Sequence, residues 1–298
     1  MRRFDHFLAI DWSGAAGERH RGIALALAHA EGGPPVPVEP PHPRGWSRGE
    51  VLALLLDLPD GTLVGMDLGI SLPHADCGAF FPGWEASPAC ARELWALIDS
   101  LAADDDHLAA SSFVDHHEIA PFFRRHGGRE GARFRAGPIA QGAAPGRGRL
   151  RVTEHAQAAM GLKPYSNFNL VGAAQVGKSS LTGMRLLHRL AGRLPVWPID
   201  PLPPRGSVVC EIYTSLAAIE AGRSAARAKM RSFEELNAAL GALGSPPVPG
   251  EGPLDDHSCD AALTAAWLRA VHREDARWNP RALTPAIAAT EGWTFGAF

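Results

Sequence analysis

An α/β fold, with a mixed sheet and helices on its faces, is predicted by three observations. Short apolar runs at Phe7–Ile10, Leu63–Met66 and Ser207–Cys210 are each followed at once by an acid: Asp11, Asp67 and Glu211. This is how buried strands deliver polar groups to the edge of an open α/β sheet. Ser47 with Glu50 three residues later reads as a capping box opening the helix of VLALLLDL. A long Ala- and Leu-rich stretch from Asp256 to Val271 reads as a helix packed against that sheet.

Taken in order, Phe7–Ile10 is the first strand, and Ser13-Gly14 supplies turn chemistry after it. Gly22–Ala28 is a second strand, paired back through a hairpin-like connection, and Val36-Pro37-Val38 is an edge strand in a Pro- and Gly-rich stretch. After the capped helix, Leu63–Met66 is the next buried strand. From Pro73 to Leu202 regular alternation is scarce, and one amphipathic helix stands out near Ala89–Ala103. The expected organisation is therefore a core formed by residues 1–72 and 203–298, with 73–202 as a large, less regular inserted segment or cap. Within the second half of the core, Ser207–Cys210 is a strand and Ser232–Ala242 a helix. The long helix follows a Pro/Gly loop at 244–253.

The 298 residues are enough to bury a sizeable core without disulfide staples. A formal charge of −3 argues against a protein that coats nucleic acid through bulk charge, and leaves a local basic patch open. Cys77, Cys90, Cys210 and Cys259 are widely spaced, with no CxxC pair, so free thiols in a reducing compartment are expected and a structural zinc site is not. No apolar run is long enough for a signal peptide or a membrane span, which makes the cytoplasm the expected location.

The chemistry is expected from the acids. Asp11, Asp67 and Glu211 at three strand ends would repel one another unless a cation neutralised them, and hard oxygen donors suit Mg²⁺ or Mn²⁺. Asp256, His257 and Asp260 can share a face of the late helix. An acid in its first turn complements the helix dipole, which accounts for Asp255 and Asp256 but not for Asp260 among its apolar neighbours.

The order of these elements, and the motifs AIDWSG, VGMDLGIS, CEIYTS and HSCDAALTAAWL, resemble the bacterial "domain of unknown function 429" group of predicted RNase H-like nucleases. More distantly the chain is similar to RuvC-type junction resolvases of the RNase H-like superfamily. The resemblance implies an RNase H-like mixed sheet and metal-dependent hydrolysis of phosphodiester bonds in nucleic acid. Asp11 would bridge two metal ions ~4 Å apart. Asp67, Glu211 and Asp260 would complete the ligand shells, and His257 would be an outer ligand or proton shuttle.

Two other functional readings come from the same residues. Gly172–Ser179 matches G-x-x-x-x-G-K-[ST], which would place Lys178 and Ser179 on nucleotide phosphates and Mg²⁺ in an ATPase-like enzyme. Against this, NFNLV is a poor strand to precede it, no second nucleotide-site motif follows, and only 119 residues remain. The same fold could instead be a scaffold that binds nucleic acid without cutting it. Eight arginines between Arg124 and Arg151, interleaved with aromatics that include Phe122, Phe123 and Phe134, suggest a nucleic-acid arm, with Arg124, Arg125 and Arg135 as phosphate contacts. Val114–Glu118 reads as a surface turn, and Tyr165, Asn167 and Asn169 as a polar cluster near the lookalike loop.

Overall fold

The computed structural model describes residues 4–137, 147–172, 175–224 and 228–298. Its strands are β1 (His6–Asp11), β2 (Arg19–His20), β3 (Ala24–His29), β4 (Val36–Pro37), β5 (Trp46–Ser47), β6 (Thr62–Asp67), β7 (Val196–Trp197) and β8 (Val208–Glu211). Six of them form one sheet in the order β4-β3-β1-β6-β8-β7, while β2 and β5 pair separately. The hairpin β1–β3 and the edge pair β3–β4 are antiparallel, and β1–β6, β6–β8 and β8–β7 are parallel. The sheet is mixed, as the sequence predicts.

The helices used below are α1 (Arg48–Leu56), α2 (Ala91–Leu101), α3 (Ser111–Asp115), α4 (Val152–Ala159), α5 (Val176–Arg189), α6 (Thr214–Glu220), α7 (Phe233–Ala242) and α8 (Asp256–Val271). The capping box of α1 forms as expected. The Ser47 side chain accepts from Glu50 N, and Ser47 N donates to the Glu50 carboxylate.

Side-chain alternation along each strand divides the core in two. Leu8 and Ile10 of β1, Val64 and Met66 of β6 and Val209 of β8 pack on one face with α1, α2 and α5. Phe7 and Ala9, Leu63, and Val208 and Cys210 pack on the other with α6, α7 and α8. Three layers result, helices over sheet over helices.

Three elements of the 73–202 segment belong to these layers. Strand β7 closes one edge of the sheet, and α2 and α5 together cover its first face. The 14-residue α5 escaped the sequence reading for a physical reason. Its apolar residues do gather on one side, but Gly177, Ser179, Ser180, Thr182 and Gly183 lower its apparent propensity, and the run from Ser180 through Leu187 is buried whatever its polarity. Among the described residues, no helix is long and apolar enough to cross a membrane.

Candidate functional site: an acidic corner at the end of β1 and β6

Strand register builds this site. Asp11 pairs directly with Asp67 across the parallel β1–β6 ladder, and paired residues of neighbouring strands share a face. Counting back by twos, Asp11 lies on the side of Ala9 and Phe7, and Asp67 on the side of Leu63. That side is covered by α8, whose first turns carry His257 and Asp260. The side chain of His257 reaches Asp11, Nδ1 to Oδ2 at 2.7 Å. Asp11, Asp67, Asp260 and His257 therefore lie at one corner of the sheet.

Asp11 and Asp260 are each only 8% exposed, so water screens their charges poorly. Burial, together with the nearby Asp11 and Asp260, pushes the pKa of Asp67 well above the ordinary carboxylate value. The Thr214 hydroxyl at the start of α6 donates to Asp67 Oδ2 at 3.3 Å and works weakly the other way. Burial also raises Asp260, to about 6, with Asp11 adding to the rise and Lys229 opposing it. Lys229 Nζ lies 3.0 Å from Asp256 and 3.4 Å from Asp260. Burial disfavours its ammonium, but these carboxylates outweigh that and raise its pKa. The hydrogen bond to Asp11 raises His257. Sequence reasoning missed Lys229. Its one signal was rarity, as one of three lysines in the chain.

The chain matches no family model, no curated protein and no solved structure.

Glu211 requires a correction. It stands opposite Met66, one residue short of Asp67, and so faces the other side of the sheet. There its carboxylate is held by Arg151, at 2.6 Å and 2.8 Å, by Ile70 N at 2.9 Å and by the Thr294 hydroxyl. Arg151 also pairs with Glu154, and all three charged groups are buried. Glu211 shares a cavity of about 280 Å³ with Asp67, and with Glu154 it is one of two carboxylates on the single Arg151 guanidinium. Its register turns it away from the α8 side of the sheet, where Asp11, Asp67 and Asp260 lie.

Among the described residues, no three His, Cys, Asp or Glu side chains are placed to hold one metal ion between them. The donor chemistry still fits a hard cation. Asp11, Asp67 and Asp260 supply three carboxylates, and burial, with their mutual repulsion added, keeps the pKa values of Asp67 and Asp260 raised despite Lys229.

Residues 173–174 of the Gly172–Ser179 lookalike lie outside the described residues, and the described ones are occupied in ways that do not suit a phosphate nest. Among the described residues no strand leads directly into it, and α5 begins at Val176. Gly177 N donates to Asn169 O and Lys178 N to Gln175 O, so two first-turn amides are already in use. A Cβ at Gly177 would sit 2.4 Å from Asn167 O and 2.8 Å from Asn169 O. Close packing thus accounts for this glycine. Gly14, after β1, lies so near that a Cβ there would be 2.3 Å from Ser179 N. The Ser179 hydroxyl donates to Val176 O. Asn167 and Asn169 are spent on the Ser71 and Val171 carbonyls.

The described parts of the arginine-rich stretch, 124–137 and 147–151, are folded into the molecule. Phe122, Phe123 and Phe134, expected as stacking platforms, are fully buried in the first-face core and cannot meet a base. Arg149 is buried against Asp76, Arg135 pairs with Glu130, and Arg124 bonds Asn169 Oδ1 at 3.1 Å. Arg125 pairs with Asp115 and lines a second cavity, taken up below. In Val114–Glu118, the ring of His116 stacks on that of His117, and His117 faces Glu118 at 3.7 Å.

Proposed function

We propose that the acidic corner binds a divalent cation, Mg²⁺ or Mn²⁺, and that the protein hydrolyses phosphodiester bonds of nucleic acid on an RNase H-like core. The observation that carries this reading is the register pairing of Asp11 with Asp67 on the face that α8 covers with Asp260. A buried carboxylate, Asp11, opposite the half-buried Asp67 on central strands costs stability unless a cation or proton joins them. A central hairpin, an antiparallel edge strand and further parallel strands beyond β1 also agree with the order that the sequence resemblance implies.

Asp11, Asp67 and Asp260 would hold the ion. When bound, it supplies Lewis-acid stabilisation of phosphoryl oxygens and an acidified water. The chain's own contribution is position and charge. His257 fixes the orientation of Asp11 through Nδ1 and can hold a proton there, with its pKa raised by that contact. Lys229 offsets the charge of Asp256 and Asp260, and the Thr214 hydroxyl orients Asp67. The raised pKa of Asp67 makes its ionised form depend on a cation nearby.

Cleavage of labelled single- and double-stranded DNA and RNA, with Mg²⁺, Mn²⁺ or chelator, tests the proposal. Metal-dependent cleavage that disappears in Asp11→Asn is expected. Cleavage that survives this substitution excludes the site.

A further inference from the structure

A second cavity, of about 350 Å³, lies beside the acidic corner and is separated from the first by the opening turn of α5. Ser179 lines one cavity, while its neighbour Lys178 lines the other. The second cavity has the opposite electrical character. Arg48, Arg125, His126 and Lys178 line it, with Asp115 as the one acid among the described residues of its wall.

Arg48 sets this character. It is 2% exposed, and its guanidinium donates only to carbonyl oxygens: Ser13 O at 3.0 Å, Ala15 O at 2.6 Å and His107 O at 2.7 Å. Among the described residues no carboxylate pairs with it, so its charge acts on the space beside it uncompensated. Burial and the neighbouring Arg185 lower its pKa to about 10, which leaves it protonated at neutral pH. Lys178 is exposed and makes no ion pair among the described residues. Arg125 has Asp115, whose side chain is itself 62% exposed. Three permanent cations against one carboxylate leave a surplus of two positive charges, to which His126 can add. The remaining wall is largely aliphatic, from Val114, Leu170 and Leu181. Cavities of this size and make-up accept small ligands, with apolar walls for the body and a few polar groups for orientation.

We infer that this cavity binds a phosphate monoester carried on a nucleoside, either a free nucleoside monophosphate or the phosphorylated end of a strand. Lys178 and Arg125 contact the phosphate from opposite elements, and Arg48 provides the buried field behind them. Recognition rests on side-chain charge, since two first-turn amides of α5, Gly177 N and Lys178 N, are already engaged. The inference needs no metal, so it stands or falls separately from the nuclease reading.

Titration calorimetry in chelator at low salt, with AMP, GMP and orthophosphate, tests it. Saturable nucleotide binding that weakens with salt is expected, with Kd raised about tenfold in Lys178→Ala and in Arg125→Ala. Arg281→Ala, which removes a charge lining neither cavity, leaves Kd unchanged. Oligonucleotides with and without a terminal phosphate distinguish the sources. Tighter binding of the phosphorylated strand than of the free nucleotide identifies a strand end, and the reverse identifies a free nucleotide. No saturable binding of any of these ligands overturns the inference. So does binding that Lys178→Ala and Arg125→Ala leave intact, or that Arg281→Ala weakens equally.

Discussion

Replacing Asp67 by asparagine stabilises the metal-free protein while removing its response to a divalent cation. Adjacent strands are ~4.8 Å apart, so two ionised carboxylates facing each other across β1 and β6 repel by about 3 kcal/mol at an effective dielectric of ~20. Asp260 adds to that repulsion, and the Thr214 hydroxyl and Lys229 subtract from it. A net gain of roughly 2 kcal/mol is expected, or about 5 °C in Tm for a chain of this size. The amide oxygen introduced by Asp67→Asn can keep the Thr214 hydrogen bond, so the substitution creates no unpaired hydroxyl. The pH dependence has a definite sign. A carboxyl whose folded pKa lies above its unfolded value stabilises the fold at acid pH. That contribution is lost as pH rises through the folded pKa. For Asp260 the loss runs from about 4, the unfolded value, to about 6; Asp67 moves in the same direction. The advantage of Asp67→Asn in chelator is therefore small at acid pH and full at alkaline pH. Added Mg²⁺ raises the Tm of the natural protein and leaves that of the variant unchanged. Calorimetric melts at acid and alkaline pH, with and without Mg²⁺, read all of these quantities. A variant less stable than the natural protein in alkaline chelator refutes the repulsion argument.

Three further outcomes are expected. Glu211→Gln removes one of the two carboxylates on buried Arg151 and costs about 3 kcal/mol in urea unfolding, with Mn²⁺ affinity unchanged; lost Mn²⁺ affinity at full stability would restore Glu211 as a ligand. Lys229→Met takes away the ammonium that a divalent ion must compete with and tightens Mn²⁺ binding by roughly tenfold at low salt, measured by titration calorimetry; unchanged or weaker affinity counts against competition at Asp260. Gly177→Ala drives a Cβ into the Asn167 and Asn169 carbonyls and destabilises by about 2 kcal/mol in thermal melts, so a variant of natural stability would mean that packing does not require this glycine.

Much of the sheet was legible because buried strands and caps are local signals. The runs ending at Asp11, Asp67 and Glu211 became β1, β6 and β8, and the Ser47–Glu50 capping box appeared where the spacing put it. What could not be read was parity across strands. Three acids at strand ends look equivalent in one dimension, but a single-residue difference in register sends Glu211 to the face opposite Asp11 and Asp67. Register depends on pairing between residues more than 140 positions apart, which a single sequence does not display. The arginine-rich stretch failed for a related reason. Arginines that neutralise buried acids and arginines that await a phosphate have the same letter, and the fully buried Phe122, Phe123 and Phe134 had the spacing of a stacking platform. Lys229 was invisible because its partners lie on α8, a separate element.

Arg151 also bears on how the chain is synthesised. Its first partner, Glu154, leaves the ribosome almost with it. Glu211 follows 60 residues later, and the Glu291 carbonyl that bonds its Nη1 follows 140 residues later. At about 5–20 residues per second, that last contact arrives some 7–28 s after the arginine itself. Through that interval the guanidinium has first Glu154 alone and then Glu154 with Glu211 as partners, and the half-made sheet that closes around it buries an N–H with no acceptor until Glu291 arrives. Chaperone occupancy on stalled nascent chains should accordingly persist past Glu211 and end once residues 291–295 have emerged.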